Sequence, residues 1–156
     1  MRYIFLLFLT VVFDVSAVDE KKPIDITSER MEVYQDLQKT IFTGDVKVIR
    51  GAATLKAQKI DIFYGGKENI GGDIEKVVAH HNVIIVDGEN TATGQKAVYI
   101  PHAENLLLSG DVVMTRGTNV LKGESLTYNL KTGNMKLNNE KGDGRVKATF
   151  TIKGKN

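Results

Sequence analysis

Neither cysteine nor tryptophan occurs in the 156 residues. Without cysteine the chain has no disulfide framework, no thiolate metal ligands and no lipid-attachment thiol, so any extracytoplasmic form must be held by its sheet and core alone. Charge of one sign is also missing: 21 Lys and Arg face 19 Asp and Glu, for a formal net charge of +2. The Lys and Arg are scattered along predicted strands and are not interleaved with aromatics, which excludes the strong field that recruits nucleic acid. No window carries apolar residues at helical spacing over three turns, so helices are not expected. Catalytic constellations are absent too. There is no H-E-x-x-H and no G-x-S-x-G, and Gly65-Gly66-Lys67 lacks the leading Gly and the Ser or Thr of a phosphate loop. Of His80, His81 and His102, the first two are adjacent and are expected on opposite faces of a strand, which disfavours a shared metal. No catalytic residue, metal site or cofactor is therefore assigned, and the chain reads as a binding protein and not an enzyme.

The one long apolar run, Tyr3 to Phe13, follows Arg2, stops at Asp14 and is followed by Val15-Ser16-Ala17. It falls short of the roughly 20 residues that span a bilayer. A basic start, a short apolar core and small residues at the end describe a secretory signal peptide. The expected organisation is a signal peptide over 1–17 and a single domain over 18–156.

What the chain does have is a repeat. Asp45-Val46, Gly51, Ala57-Gln58-Lys59 and Ile62 recur as Asn82-Val83, Gly88, Gly94-Gln95-Lys96 and Tyr99, then as Asp111-Val112, Gly117, Gly123-Glu124-Ser125 and Tyr128. Val83 to Val112, Gly88 to Gly117 and Tyr99 to Tyr128 are each 29 residues apart, and the longer first step is absorbed by the Gly-rich loop Gly65 to Gly72. A fixed period with its one insertion in a loop is the mark of repeat architecture. Ser28 to Val33 supplies a half-copy ahead of the first unit.

Within each copy, alternating residues, a Gly and a second alternating run read as strand, turn, strand. The predicted strands are short: Ile24 to Ile26, Met31 to Tyr34, Thr40 to Thr43, Val46 to Ile49 and so on, ending with Val146 to Lys153. Alternation turns one set of positions inward. Among these, Ile24, Ile26, Met31, Val33, Phe42, Val46, Val48, Ile62, Val83, Ile85, Ala97, Tyr99, Leu108 and Met114 are the candidate lining of an apolar groove. Composition and spacing alone leave this as a β-solenoid or jelly roll.

Pro23-Ile24-Asp25-Ile26-Thr27-Ser28-Glu29, then Phe42-Thr43-Gly44-Asp45-Val46-Lys47-Val48 and Leu55-Lys56-Ala57-Gln58-Lys59-Ile60, resemble the OstA-like family of lipopolysaccharide transport proteins over about Pro23 to Phe150. The chain departs from the pattern at His81-Asn82, where other copies have Gly-Asp, and at Gly144-Arg145-Val146. The resemblance implies an all-β protein: an open, slightly twisted β-jellyroll of stacked antiparallel strands. Its groove would hold the acyl chains of lipopolysaccharide in the periplasm. It also implies a head-to-tail homo-oligomer, an LptC-like inner-membrane partner and an LptD-like outer-membrane partner. At the groove's rim Lys47, Arg50, Lys56, Lys96 and Arg116 are candidates for weak contact with phosphates. Three alternatives stand beside it: a β-repeat oligomer former with a solid core, a closed barrel acting as a mobile lipid shuttle, and an anchored LptC-type protein, whose uncleaved membrane helix is missing here.

Overall fold

In the computed structural model, residues 23–66 and 72–152 are described; the expected signal peptide and the tip of the Gly65 to Gly72 loop lie outside them. The described chain forms one antiparallel sheet. Its strands are β1 (Asp25–Thr27), β2 (Arg30–Tyr34), β3 (Lys39–Arg50), β4 (Ala53–Tyr64), β5 (Ile74–Asp87), β6 (Asn90–Ile100), β7 (Asn105–Arg116), β8 (Asn119–Asn129), β9 (Met135–Asn138) and β10 (Lys147–Thr149). Strands β3 to β8 follow one another as a meander, with β1 and β2 both on β3 and β9 and β10 both on β8. The two outer pairs do not meet, so the sheet is open and the closed-barrel alternative is excluded.

The expected pairs of short strands prove to be single long strands carrying a bulge. Between Thr43 and Val46, His80 and Val83, and Ser109 and Val112 the register slips, and each time the extra residue lies in β3, β5 or β7. A bulge bends its strand and increases local twist without ending the ladder, which is why breaks in alternation looked like strand ends. Gly44-Asp45, His81-Asn82 and Gly110-Asp111 all carry positive φ there.

The bend divides the sheet into two leaves. On one, β1 pairs with Lys47–Ile49 and β10 with Val120–Lys122; on the other, β2 pairs with Lys39–Thr43 and β9 with Ser125–Tyr128 of β8. The hairpins β3–β4, β5–β6 and β7–β8 close through Gly51-Ala52, Gly88-Glu89 and Gly117-Thr118. Only the Gly of each pair has positive φ, 58° to 59°, the pattern of a II′ turn, which suits strand twist.

The core lies along the fold line between the leaves. Phe42, Ile60, Ala79, Ala97, Leu108 and Leu126 come from one leaf, Val46, Ala57, Val83 and Val112 from the other, and they pack as one cluster. Small residues make the close approach possible: a Cβ on Gly123 would stand 2.8 Å from Leu137 Cδ1.

The C-terminal edge differs from the expected strand Val146 to Lys153. Only Lys147–Thr149 pairs with β8, and Lys153 lies outside the described residues. The first strand is likewise displaced by one residue, to Asp25–Thr27.

Candidate functional site

The inner face of the bent sheet is an apolar cleft built row by row. Beside the fold line the side chains are sealed: Val46, Val83, Ile60 and Leu108 are 0% exposed and Val112 1%. One row toward the mouth, Val48, Leu55, Ile85, Ala92 and Met114 stand half-buried on one leaf, and Val77, Tyr99 and Leu106 on the other. At the next row of the first leaf the lining turns mostly polar, with Arg50, Ala53, Asp87, Asn90, Arg116 and Asn119 in register across β3 to β8. Apolar walls over a packed floor, edged by charge, can hold an elongated apolar molecule and leave its polar end in water.

The register puts the expected lining residues on one face but in three settings. Phe42, Val46, Val83, Ala97 and Leu108 are buried and form the floor, and Ile62, buried as well, stands in the wall row in register with Val77. Ile26, Val48, Ile85, Tyr99 and Met114 are half-buried and form the walls. Ile24, Met31 and Val33, 48%, 51% and 39% exposed, lie at the N-terminal edge. Wall residues Leu55, Val77, Ala92, Leu106 and Leu121 were not among the expected lining. They lie on strands paired with the expected ones, and the period-2 alternation outward from the Gly hairpins locates them once the long strands are recognised.

The rim cations separate in the same way. Arg50 and Arg116 share the inward parity of Val48 and Met114 and stand at the mouth. Lys47 and Lys56 face each other on the outer side of the sheet, and Lys96 stands opposite His80 on the outer side as well.

The outer face also holds a charged cluster. Asp61 alternates outward from Ile60 and Ile62, yet is only 6% exposed. Lys39 Nζ lies 3.2 Å from its Oδ2, Lys59 Nζ 3.5 Å from its Oδ1, and His80 Nε2 3.4 Å from Oδ2. The His80 contact has ion-pair distance without hydrogen-bond geometry, leaving Nε2 buried and unpartnered. Burial holds the imidazole below its usual pKa; Asp61 pulls the other way, and Lys59 and Lys96 reinforce burial. His81 does not point away from its neighbour as simple alternation predicts. Its positive φ breaks the alternation and the two rings lie 6.2 Å apart. Among the described residues no group of three or more His, Cys, Asp or Glu could hold a metal ion.

The repeated Gln or Glu has a structural task. Asn82 N–H donates to Gln95 Oε1 and Asp111 N–H to Glu124 Oε2, both at 3.4 Å. Each side chain from the following strand thus satisfies a backbone group that the bulge withdraws from the ladder.

An open antiparallel sheet, bent by bulges into two leaves around an apolar cleft, is the β-jellyroll of the OstA-like proteins. The chain belongs to the family of LptA and the LptD N-terminal domain, lipopolysaccharide transport proteins, whose sequence profile matches residues 25–134. It is 34% identical over 121 residues to an uncharacterized protein of Rhizobium meliloti (strain 1021), a match covering 74% of this chain and 65% of that relative. An uncharacterized protein of Rickettsia prowazekii (strain Madrid E) is 31% identical over 134 residues, covering 80% of this chain and 87% of the relative. Among solved structures the fold is similar to LptH of Pseudomonas aeruginosa, the LptA homologous periplasmic component of the lipopolysaccharide transport device. The TM-score is 0.73 at 15% identity, covering 86% of this chain and 99% of the other. Among the described residues no helix is long and apolar enough to cross a membrane.

Proposed function

We propose that this chain is a periplasmic bridge protein that binds lipopolysaccharide by its acyl chains and passes it from the inner toward the outer membrane. The observation that carries the reading is the cleft's gradation, from a sealed floor through half-buried apolar walls to a polar rim, continued at both ends of the sheet by exposed apolar residues. Sheltering a CH2 group from water is worth about 0.8 kcal/mol, so one ~12-carbon acyl chain is worth about 9 kcal/mol. A continuous apolar trough lets such a chain advance without re-entering water. Arg50 and Arg116 stand where the phosphates of the head group would emerge.

The edges support continuity between molecules. Ile24 and Met31 are exposed at one end, Val146, Phe150 and Ile152 at the other. Val146, Phe150 and Ile152 share the parity of Ala148, which faces Leu121 across the inner side. A strand added to β1 and β2, or to β9 and β10, would take affinity from main-chain hydrogen bonds and extend the lining. The proposed partners are a second copy head to tail, an LptC-like protein at one membrane and an LptD-like protein at the other. No catalytic step, metal or cofactor enters this account.

The test is binding of purified lipopolysaccharide to the protein lacking residues 1–17, followed by co-sedimentation. Co-migration is expected for the native chain and weakened binding for Met114→Asp, which puts a charge on the wall. A native chain that never co-migrates with the lipid would overturn the reading.

A further inference from the structure

On the outer face, away from the cleft, the bulge of β7 and the adjoining part of β8 form the base of a depression of about 370 Å³ near the C-terminal edge. Its walls bring together Lys122, Lys141, Arg145 and Lys147 with two carboxylates, Asp111 and Glu124. One side is the turn between β9 and β10, which is fixed by its own bonds. Asn139 Nδ2 donates to Arg145 O at 2.6 Å, and Lys141 N–H to Asn139 Oδ1 at 3.2 Å. Arg145 N–H donates to Asp143 Oδ1 at 3.0 Å.

The charges around it are unequally committed. Lys141 Nζ lies 2.8 Å from Glu124 Oε1, clamping the turn to β8, and Glu124 also accepts from Asp111 N–H. Among the described residues Lys122, Arg145 and Lys147 have no carboxylate within ion-pair distance. Lys122 and Lys147 are moreover direct cross-strand partners. Like charges placed opposite one another destabilise a sheet, and an anion between them removes that repulsion. A second such pair, Lys47 and Lys56, exists on β3 and β4, but it does not line the depression.

We propose that this depression is a binding site for a phosphate monoester, held by Lys122, Arg145 and Lys147. Phosphate offers the charge to offset facing ammonium groups and several oxygens for a guanidinium fork. The cavity exceeds the ~30 Å³ share of one water many times over, which leaves room for a sugar attached to the phosphate. The group could be supplied by the head of a phosphorylated glycolipid or by a free sugar phosphate. Because the site lies on the outer face, the inference does not depend on what fills the cleft.

The experiment titrates the protein lacking residues 1–17 with glucosamine 1-phosphate at constant ionic strength and follows backbone amide shifts. Saturable shifts are expected around 122, 145 and 147. Affinity should fall about tenfold or more, as for loss of charge-assisted bonds, in Lys122→Gln/Lys147→Gln, and hold within about twofold in the control Lys47→Gln/Lys56→Gln. Circular dichroism checks that both variants fold. Equal losses in the two variants, or shifts that never saturate, would mean a diffuse field and overturn the site. Parallel titrations with lipid A and its dephosphorylated form identify the source. If the Lys122/Lys147 variant weakens binding of the phosphorylated lipid alone, the site reads a lipid head group; if it weakens only glucosamine 1-phosphate, the site takes a free sugar phosphate. Dephosphorylated lipid reports the cleft by itself, so failure there leaves the anion site standing.

Discussion

Gly94 lies beneath Leu108: a Cβ built on the glycine would stand 2.7 Å from Leu108 Cδ1. The contact joins the two leaves across the fold line, because Gly94 faces Val83 on one and Leu108 faces Ala97 on the other. The small residue opening the [AG]-[QE] part of the repeat thus sets how closely the leaves approach. Gly94→Val should cost about 1–3 kcal/mol by overpacking. Adding Leu108→Ala should cost less than the sum of the two single changes, a coupling that denaturant titration of the double-mutant cycle measures.

His81 occupies a place held by Gly in the other copies. Its φ is 64°, where Gly44 and Gly110 have 87° and 88°. A left-handed backbone costs a residue with a side chain about 1–2 kcal/mol, and replacement by Gly gives back part of this through unfolded-state entropy. His81→Gly should therefore leave the fold intact and raise stability by about 0.5–1 kcal/mol. The reverse change, Gly110→His, should destabilise, since a Cβ there would stand 2.7 Å from Gln95 Cβ. Thermal melts of the two variants should move in opposite directions.

His80 makes stability depend on pH. Burial lowers its pKa below the ordinary histidine value of 6.5, so between the folded and unfolded pKa values the unfolded chain binds more protons. Stability is then complete above about pH 6.5 and declines as pH falls through that value toward the lower folded pKa. Asp61, Lys39, Lys59 and Lys96 are the charged groups around the ring. In His80→Gln this part of the acid sensitivity should vanish, while loss of carboxylate interactions below about pH 5 should persist. Urea midpoints measured from pH 8 to pH 5 check it.

The free side of β10 is identified by one bond. Thr151 N–H donates to Asn119 Oδ1 at 3.1 Å, toward β8, and alternation gives Thr149 the same direction and Ala148 the opposite one. Ala148→Pro should preserve the fold yet weaken end-to-end association, because it deletes an outward donor at a sheet edge. Thr149→Pro should instead loosen β10 from β8. Sedimentation velocity over a concentration series distinguishes them; unchanged association of Ala148→Pro would place the joint elsewhere.

Much of this architecture is legible in the sequence because the repeat registers it three times. The 29-residue spacing, the II′ hairpin glycines and the inward parity of Val46, Val83 and Val112 follow from alternation and from glycine's access to positive φ. Strand continuity is not legible. A bulge and a strand end both appear as a break in alternation at Gly-Asp, and only pairing across β4, β6 and β8 tells them apart. Depth in the cleft is hidden for a related reason: Val46 and Val48 have the same parity and residue type, but one sits against the facing leaf and the other a row nearer the mouth. Asp61 shows the limit of parity as a guide to exposure. It points outward, yet Lys39, Lys59 and His80 from three strands cover it. The depression beside Lys122 likewise depends on the turn from Asn139 to Arg145, far along the chain from β7 and β8.

The central claim, that lipid lies against the inner face, is tested by two neighbouring positions. Ile84 is 37% exposed on the outer side of β5, whereas Ile85 lines the cleft opposite Leu55 and Ala92. A photo-crosslinking amino acid is placed at each in turn and irradiated with lipopolysaccharide present. Capture at Ile85 with little or none at Ile84 is the predicted result. Equal capture at both, or capture at Ile84 alone, would contradict a lipid-binding cleft.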